Sequence, residues 1–360
     1  MSSLLERLQM RVPIIQAPMA GTSTPALAAA VCSAGALGSI ALGAVDAEGG
    51  RKAIRATRAA TDKPFNVNLF CHAPGVPDAD REARWVEALT PTFEQFGAQP
   101  PAHLHEIYRS FVSADDVADM LSEERPALVS FHFGLPSAAQ IGRLKQDGAL
   151  LFACVTNLEE AHAAGAAGVD ALVAQGIEAG GHRGMFDPEA RDERLSTFTL
   201  VQLLVQAQSL PVIAAGGIMN GGAIAACLDL GAVAVQLGTA FVACPESAAD
   251  AAHRSALLGP GANQTILTDA ISGRPARCIA NGFTELGLSL AQKGLRPAGY
   301  PMAYDAGKAL NAAAKTAGDT RYGAQWAGQG APFARALPAA ELVDVLMREY
   351  EGARAAASMR

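Results

Sequence analysis

Val169-Asp170-Ala171-Leu172-Val173-Ala174-Gln175-Gly176-Ile177-Glu178-Ala179-Gly180-Gly181-His182-Arg183-Gly184 is the stretch on which the rest of the chain turns. Residues 169–173 are a mostly apolar, strand-like run. Residues 174–184 follow as a loop with four glycines, one amide, one acid, one imidazole and one guanidinium. Glycine tolerates positive φ and lets another surface approach the backbone, at an entropic cost to folding. Four of them in one loop point to a ligand lying against the main chain, with Gln175 and His182 as the polar groups that address it. The loop reads as the floor of an active site; the plain alternative is a glycine-rich turn with a stray histidine.

The same strand-then-loop pattern recurs on both sides. Apolar runs at 12–17, 35–40, 63–70, 127–133, 150–155, 171–174, 211–215 and 232–237 read as short strands. Helical patterns lie between them. Thr24 is an N-cap with Pro25 at the first helical position, and Asp46 starts a helix through Ala60, with Glu48 in its first turn. The unit is roughly 25 to 30 residues long, the rhythm of a parallel sheet. It breaks at 71–125, where residues 80–89, 92–96 and 113–124 are helical in pattern. Ser113 is expected to cap the last of these, with Asp116 three residues on. This looks like a helical segment inserted over the main body. About eight strand–helix alternations predict a (β/α)8 TIM barrel with right-handed crossovers. A doubly wound sheet is second, because Met19-Ala20-Gly21-Thr22 is not the glycine fingerprint such a sheet carries after its first strand. Beyond 245 the chain is less regular, with helical patterns at 250–258, 285–291 and 305–315 and a final amphipathic helix at 339–357.

Composition excludes several classes. Of 360 residues half are hydrophobic and 18% charged, ample for a large core. A net charge of −7 argues against nucleic acid or an anionic membrane as the partner. An anionic substrate stays open, since a cleft can carry local positive groups. The six cysteines (Cys32, Cys71, Cys154, Cys227, Cys244, Cys278) form no C-x-x-C pair, and several lie in apolar runs. They read as buried small hydrophobes of a reducing compartment. With neither a signal-peptide pattern nor a long uncharged apolar run, a cytoplasmic location is expected. A homodimer is compatible with the sequence, which does not fix the oligomeric state.

The clearest chemical signal is for phosphate. Val212-Ile213-Ala214-Ala215-Gly216-Gly217-Ile218 is a strand running into two glycines, followed by Asn220-Gly221-Gly222 and a helix. The next strand ends in Gly238-Thr239. In a barrel the loops after strands seven and eight commonly bind phosphate through backbone N–H groups and a helix N-terminus. Gly217 and Gly238 leave room for phosphate oxygens, and the Thr239 hydroxyl can donate; two tight turns that need glycine for geometry are the alternative. Met19, Asn68, Gln175 and His182 also fall at or just past strand carboxyl ends. Asn and Gln offer donor and acceptor together, which suits the pyrimidine edge of a flavin.

Taken in order, Q-A-P-M-A-G (16–21), V-S-F-H-F-G (129–134), Q-G-x-E-A-G-G-H-R-G (175–184), A-A-G-G-I (214–218), A-V-Q-x-G-T-A-F (234–241), G-Y-P-M (299–302) and W-A-G-Q-G-A (326–331) resemble the nitronate monooxygenases, formerly 2-nitropropane dioxygenases, of class I. The resemblance spans most of the chain. It implies an FMN-containing TIM barrel with a smaller, mainly helical second domain, and oxidative denitrification of alkyl nitronates with O2, propionate 3-nitronate being the implied substrate. Residue by residue, it implies FMN contacts at Met19, Asn68, Gln175, Gly180, Gly217, Gln236, Gly238 and Thr239. His182 is the implied catalytic residue, with His132, Tyr300, Tyr304 and Lys308 at the substrate. The domain expectation is a barrel of 1–70 and 126–244 completed by 299–360, a helical insertion at 71–125 and a substrate-covering domain at 245–298.

The chemistry agrees. A nitronate is an anion with electron density on carbon, and O2 oxidises carbon acids poorly by two electrons. A flavin can take one electron, giving a semiquinone and a substrate radical that meets O2, so the hard step belongs to the cofactor. The protein has to fix the anion and supply donors to its oxygens. His182 can donate a hydrogen bond, or take a proton if a neutral nitroalkane is offered. Lys308 would add charge, and Tyr300 and Tyr304 donors and aromatic walls. Glu178 is given an orienting role, because a carboxylate repels an anion; Arg183 is open between Glu178 and the substrate. His103 and His105 read as solvated residues, and no metal is expected. An FMN-dependent enoyl-acyl-carrier-protein reductase using NAD(P)H is the second reading, and a phosphate-binding barrel without redox chemistry the third.

Overall fold

A computed structural model of the chain describes residues 3–358. In chain order its strands are β1 (Ile14–Gln16), β2 (Ser39–Ala41), β3 (Asn66–Phe70), β4 (Leu128–His132), β5 (Leu150–Val155), β6 (Ala171–Gln175), β7 (Gly181–His182), β8 (Val212–Ala215), β9 (Ala234–Leu237), β10 (Thr265–Thr268) and β11 (Ala276–Ile279). Eight of them form one parallel sheet in the order β1-β9-β8-β6-β5-β4-β3-β2. The sheet curls until its edges meet ahead of β2. There Ile15 bridges Leu37, the Leu37 N–H donates to the Ile14 carbonyl at 3.0 Å, and the Gln16 N–H donates to the Leu37 carbonyl at 2.9 Å. The expected (β/α)8 barrel is what forms.

Strand period 2 decides which residues reach the site. Val67 and Leu69 of β3, Val129 and Phe131 of β4 and Leu172 and Ala174 of β6 pack outward beneath the helices. Leu128, Phe152, Ala171, Val173, Ile213, Ala215 and Ala234 fill the barrel, with Leu8 and Met10 of the N-terminal segment packed among them. Two residues further along the same inward faces stand Ser130, Cys154, Gln175 and Gln236. The inward layer thus turns from apolar to polar toward the carboxyl ends of the strands, which is where a barrel carries its chemistry.

The helices start where side chains can cap them. Thr24 accepts from the Leu27 N–H, and Asp46, Asn157 and Asn220 accept from N–H groups three residues on. Two helical expectations in the insertion need correction. Ser113 is no cap: the helix Asp115–Glu124 starts at Ala114 with no side-chain cap bond, because 111–113 form a 3-10 turn capped by Ser110, whose carbonyl accepts from the Ser113 hydroxyl at 3.2 Å. Asp116 pairs instead with Arg109 at 2.8 Å. Residues 80–89 and 92–96 are one helix, Ala79–Gln95, that runs through Pro91. Trp85, Leu89 and Phe93 lie four apart on one face and are buried in a second core, so tertiary packing holds the helix across a residue that normally interrupts one.

That second core joins the Ala79–Gln95 helix to Phe283, Leu290, Met302, Ala306 and Leu310. The helix Met302–Thr316 therefore packs with the insertion, whereas the helix Ala339–Ser358 buries Leu342, Val343 and Leu346 in the barrel core. Besides its helices the smaller unit carries an antiparallel sheet, β10-β11-β7, built from strands of four residues or fewer, too short to stand out by pattern. All six cysteines are buried and unpaired. Among the described residues no helix is long and apolar enough to cross a membrane.

Candidate active site

A cavity opens over the carboxyl ends of the barrel strands. It is lined by Met19, Asn68, Ser130, His132, Phe133, Gln175, Gly180, His182, Gly217, Gln236, Gly238, Thr239, Tyr300, Tyr304 and Trp326, among others. All the expected contact residues except Lys308 are thus brought together. The Lys308 ammonium lies 4.6 Å from the Tyr108 ring centroid and 5.4 Å from that of Tyr304, two rings that line the cavity while Lys308 does not. Among the described residues, not one Asp, Glu, Lys or Arg side chain lines the cavity.

His182 is held by its backbone. Its two-residue strand β7 pairs with β11, Ala276 opposite His182, which ties the loop after β6 to the sheet of the smaller unit. The His182 carbonyl accepts from Gln175 Nε2 at 3.0 Å and from His132 Nε2 at 3.3 Å. Gln175 Oε1 accepts from the Gly184 N–H at 2.8 Å and from Arg183. Both ends of the Gln175 amide are therefore engaged in shaping the loop, and His132 addresses the loop backbone. Around the imidazole stand Trp326 at 5.0 Å, Phe133 and Tyr300 at 5.6 Å and Tyr304 at 6.0 Å between centroids.

Burial governs the electrostatics. It pushes His182 down to about 3, reinforced by His132, Arg274 and His72. Burial and Arg274 likewise push His132 down to about 4. Burial raises the Tyr300 and Tyr304 phenols above their ordinary value. The cavity thus presents neutral imidazoles and neutral phenols at neutral pH. The Arg274 guanidinium carbon lies 4.2 Å from the ring centroid of Phe133, a wall residue of the cavity. Arg274 is 2% exposed, donates to the Met185 carbonyl and forms no ion pair among the described residues.

The charged members of the loop turn away from the cavity. Arg183 is 1% exposed and pairs with Asp192 through two bonds of 2.8 and 3.0 Å, while donating to the Gln175 and Gly176 carbonyls. It does not pair with Glu178, and it does not line the cavity. Glu178 accepts from the Thr197 N–H and hydroxyl, both at 2.9 Å, at the start of the helix Thr197–Ala207. It thereby ties the loop to the start of that helix.

The glycines divide into two kinds. A Cβ on Gly176 would overlap the Thr197 hydroxyl, one on Gly180 the Gly328 nitrogen, and one on Gly184 would come within 2.6 Å of Cys154 Sγ. These three let protein surfaces close on one another, so the loop's glycine content reflects internal packing rather than ligand approach. Gly238 differs. A Cβ there would meet only Ala17 Cβ at 3.5 Å and Met19 Sδ at 3.7 Å, ordinary contacts, so the space before it is cavity. Gly217 adopts φ +69° beside it on the rim. Thr239 Oγ1 accepts from the Gly328 N–H at 2.9 Å, leaving its proton free to donate. An open face at Gly238, neighbouring backbone and one free hydroxyl suit a phosphate, and the Gln236 amide on the cavity wall suits a polar ring edge.

Sequence reading missed Tyr108, Phe133, His253 and Trp326 on the wall and Ser272 behind it. Phe133 and Trp326 stood inside recognised motifs. Tyr108 and His253 carried no local signal, and only the fold brings them to the cavity.

The family model described as nitronate monooxygenase matches residues 2–349. The chain belongs to the nitronate monooxygenase family. A nitronate monooxygenase of Paraburkholderia phytofirmans is 61% identical over 349 residues, covering 97% of this chain and 95% of that one. Another, of Pseudomonas aeruginosa, is 55% identical over 346 residues, covering 96% and 98%. Among solved structures, the nitroalkane oxidase from Streptomyces ansochromogenes superposes with a TM-score of 0.90 at 40% identity, covering 99% of both chains. The protein is thus an enzyme, an oxidoreductase of the nitronate monooxygenase family, whose members are generally flavin-dependent.

Proposed function

We propose that the enzyme binds FMN in the barrel mouth and oxidises alkyl nitronates with O2, propionate 3-nitronate among them, in the cytoplasm. The observation that carries this is a cavity walled by neutral donors, with an uncharged imidazole and no carboxylate among its described lining residues. Such a wall accepts an anion without repulsion and desolvates it. Gly217, Gly238 and Thr239 would hold the FMN phosphate, and Met19, Asn68 and Gln236 the rest of the cofactor, with Gln175 shaping the loop beneath it and Gly180 closing that loop on the 327–328 backbone. FMN supplies the electron transfer that O2 alone lacks. His182 faces the substrate as the catalytic group, and Tyr300 and Tyr304 wall it in. His132 acts through the His182 backbone, and Lys308 lies against the rings of Tyr108 and Tyr304. In this reading the barrel comprises 1–70, 126–244 and the last helix, and the insertion with 245–326 covers the substrate.

Family membership places the enoyl reductase reading second. Oxygen consumption with propionate 3-nitronate, set against NADPH oxidation with a crotonyl thioester, separates the two. The expected result is rapid oxygen uptake and no thioester-dependent oxidation. The reverse, or a purified protein that is colourless and does not take up FMN, rejects the proposal.

A further inference from the structure

Ser272 lies behind His182, 0% exposed and outside the cavity lining. Its Oγ is 2.9 Å from His182 Nε2 and 3.1 Å from the Arg274 carbonyl oxygen. A carbonyl only accepts, and a serine hydroxyl has a single proton. That proton goes to the Arg274 carbonyl, so the contact with His182 is made by the imidazole donating its Nε2–H to Ser272. We propose that Ser272 is a positioning residue for the reaction, fixing His182 in the Nε2–H tautomer and leaving Nδ1 as the one ring atom that exchanges a proton with the substrate.

The inference rests on the reading of His182 as the substrate-facing group, and it sharpens that reading. With Nε2–H committed, a neutral His182 cannot donate a second hydrogen bond. It meets a nitronate by taking a proton from solvent onto Nδ1 as the anion enters, or meets a neutral nitroalkane by receiving the carbon-bound proton at Nδ1. Both routes reach the same pair, an imidazolium donating from Nδ1 to a nitronate, and in both Ser272 keeps accepting from Nε2. The surroundings are consistent. Arg274 holds its carbonyl in place through its own guanidinium bond to Met185, and β7–β11 pairing sets the distance between the two segments. Among the described residues no carboxylate bonds to the ring, so Ser272 is what orients it.

The test uses holoenzyme with 15N-labelled histidine, the His182 signals being assigned by their loss in His182→Asn. The wild type is expected to show a protonated Nε2 and a bare Nδ1 at neutral pH. Ser272→Ala is expected to remove that fixed pattern and lower kcat/KM for a nitronate by about tenfold to a hundredfold, while Ser272→Thr keeps the hydroxyl and most of the activity. A wild-type ring protonated on Nδ1 overturns the proposal, as does Ser272→Ala with unchanged nitrogen signals or undiminished turnover. Full activity in His182→Asn would instead remove the functional reading, and the nitrogen signals are read independently of it.

Discussion

Replacing His72 by phenylalanine isolates the field that keeps the site histidines neutral. His72 is 1% exposed, and neither ring nitrogen has a hydrogen-bond partner among the described residues. It packs edge-on to Tyr300 at 5.0 Å and near Phe133 at 6.2 Å. Burial first, then the Arg274 charge, push it from 6.5 down to about 4; the Tyr108 backbone offsets part of this without forming a well-aligned hydrogen bond. Unfolding returns the ring to water and its ordinary value, so the unfolded chain takes up a proton that the folded chain refuses. Its contribution to stability is full above about pH 6.5, falls as pH drops toward 4 and levels off below. At pH 5 the loss from this one ring is about 2 kcal/mol, and at pH 7.5 it is about 0.1 kcal/mol or less. A phenyl ring at this position cannot titrate but fills the same aromatic niche. The stability difference between His72→Phe and wild type should therefore move by about 2 kcal/mol in the variant's favour between pH 7.5 and pH 5. Equilibrium urea unfolding of both proteins at the two pH values reads it, and the double difference cancels every other group. A difference that stays constant with pH would mean that His72 is hydrated or paired, and the neutrality of His182, which rests on the same burial, would fall with it.

His182→Asn should retain FMN by absorbance and lose on the order of 10²- to 10⁴-fold in kcat with a nitronate; near-normal turnover refutes its catalytic role. Gly238→Val should match the wild type in thermal stability as apoprotein yet bind FMN at least about tenfold more weakly, because the added side chain fills open cavity; flavin fluorescence titration and a melting curve of the apoproteins decide it. Gly180→Ala should show the opposite balance, losing about 1–3 kcal/mol of stability because its Cβ meets the 327–328 backbone. If both glycine variants behave alike, the division between packing and cofactor glycines is wrong.

The barrel is legible in the sequence because strand period and loop glycines act locally. Leu150–Val155 reads to the residue, and each of the other barrel strands differs at one edge or both by one to a few positions, where hydrogen bonding to neighbours sets the ends. What escapes reading depends on distant partners. Ala79–Gln95 continues through Pro91 because Phe283 and Leu310 lie against it, and neither is near in sequence. Ser113 yields its cap to Ser110 because a 3-10 turn intervenes. In the site, residue type identifies Gln175, and the family motif His132, as polar groups of the cavity, but not that both spend hydrogen bonds on the His182 backbone. Arg183 cannot be resolved from Glu178 by spacing, since Asp192 lies beyond a turn.

The seam of the barrel joins chain segments made far apart in time. Ile14 pairs with Val235, and the helix Ala339–Ser358 then lies across the helices Pro25–Ser33 and Gly221–Asp229 on either side of that seam. A growing polypeptide at the ribosome must hold one edge of its first strand unpaired until more than two hundred further residues have emerged. Chains released before the last helix would leave Leu342, Val343 and Leu346 absent from the core and the joint uncovered. Early termination near the carboxyl terminus should therefore yield sticky, chaperone-bound protein rather than a weakened enzyme.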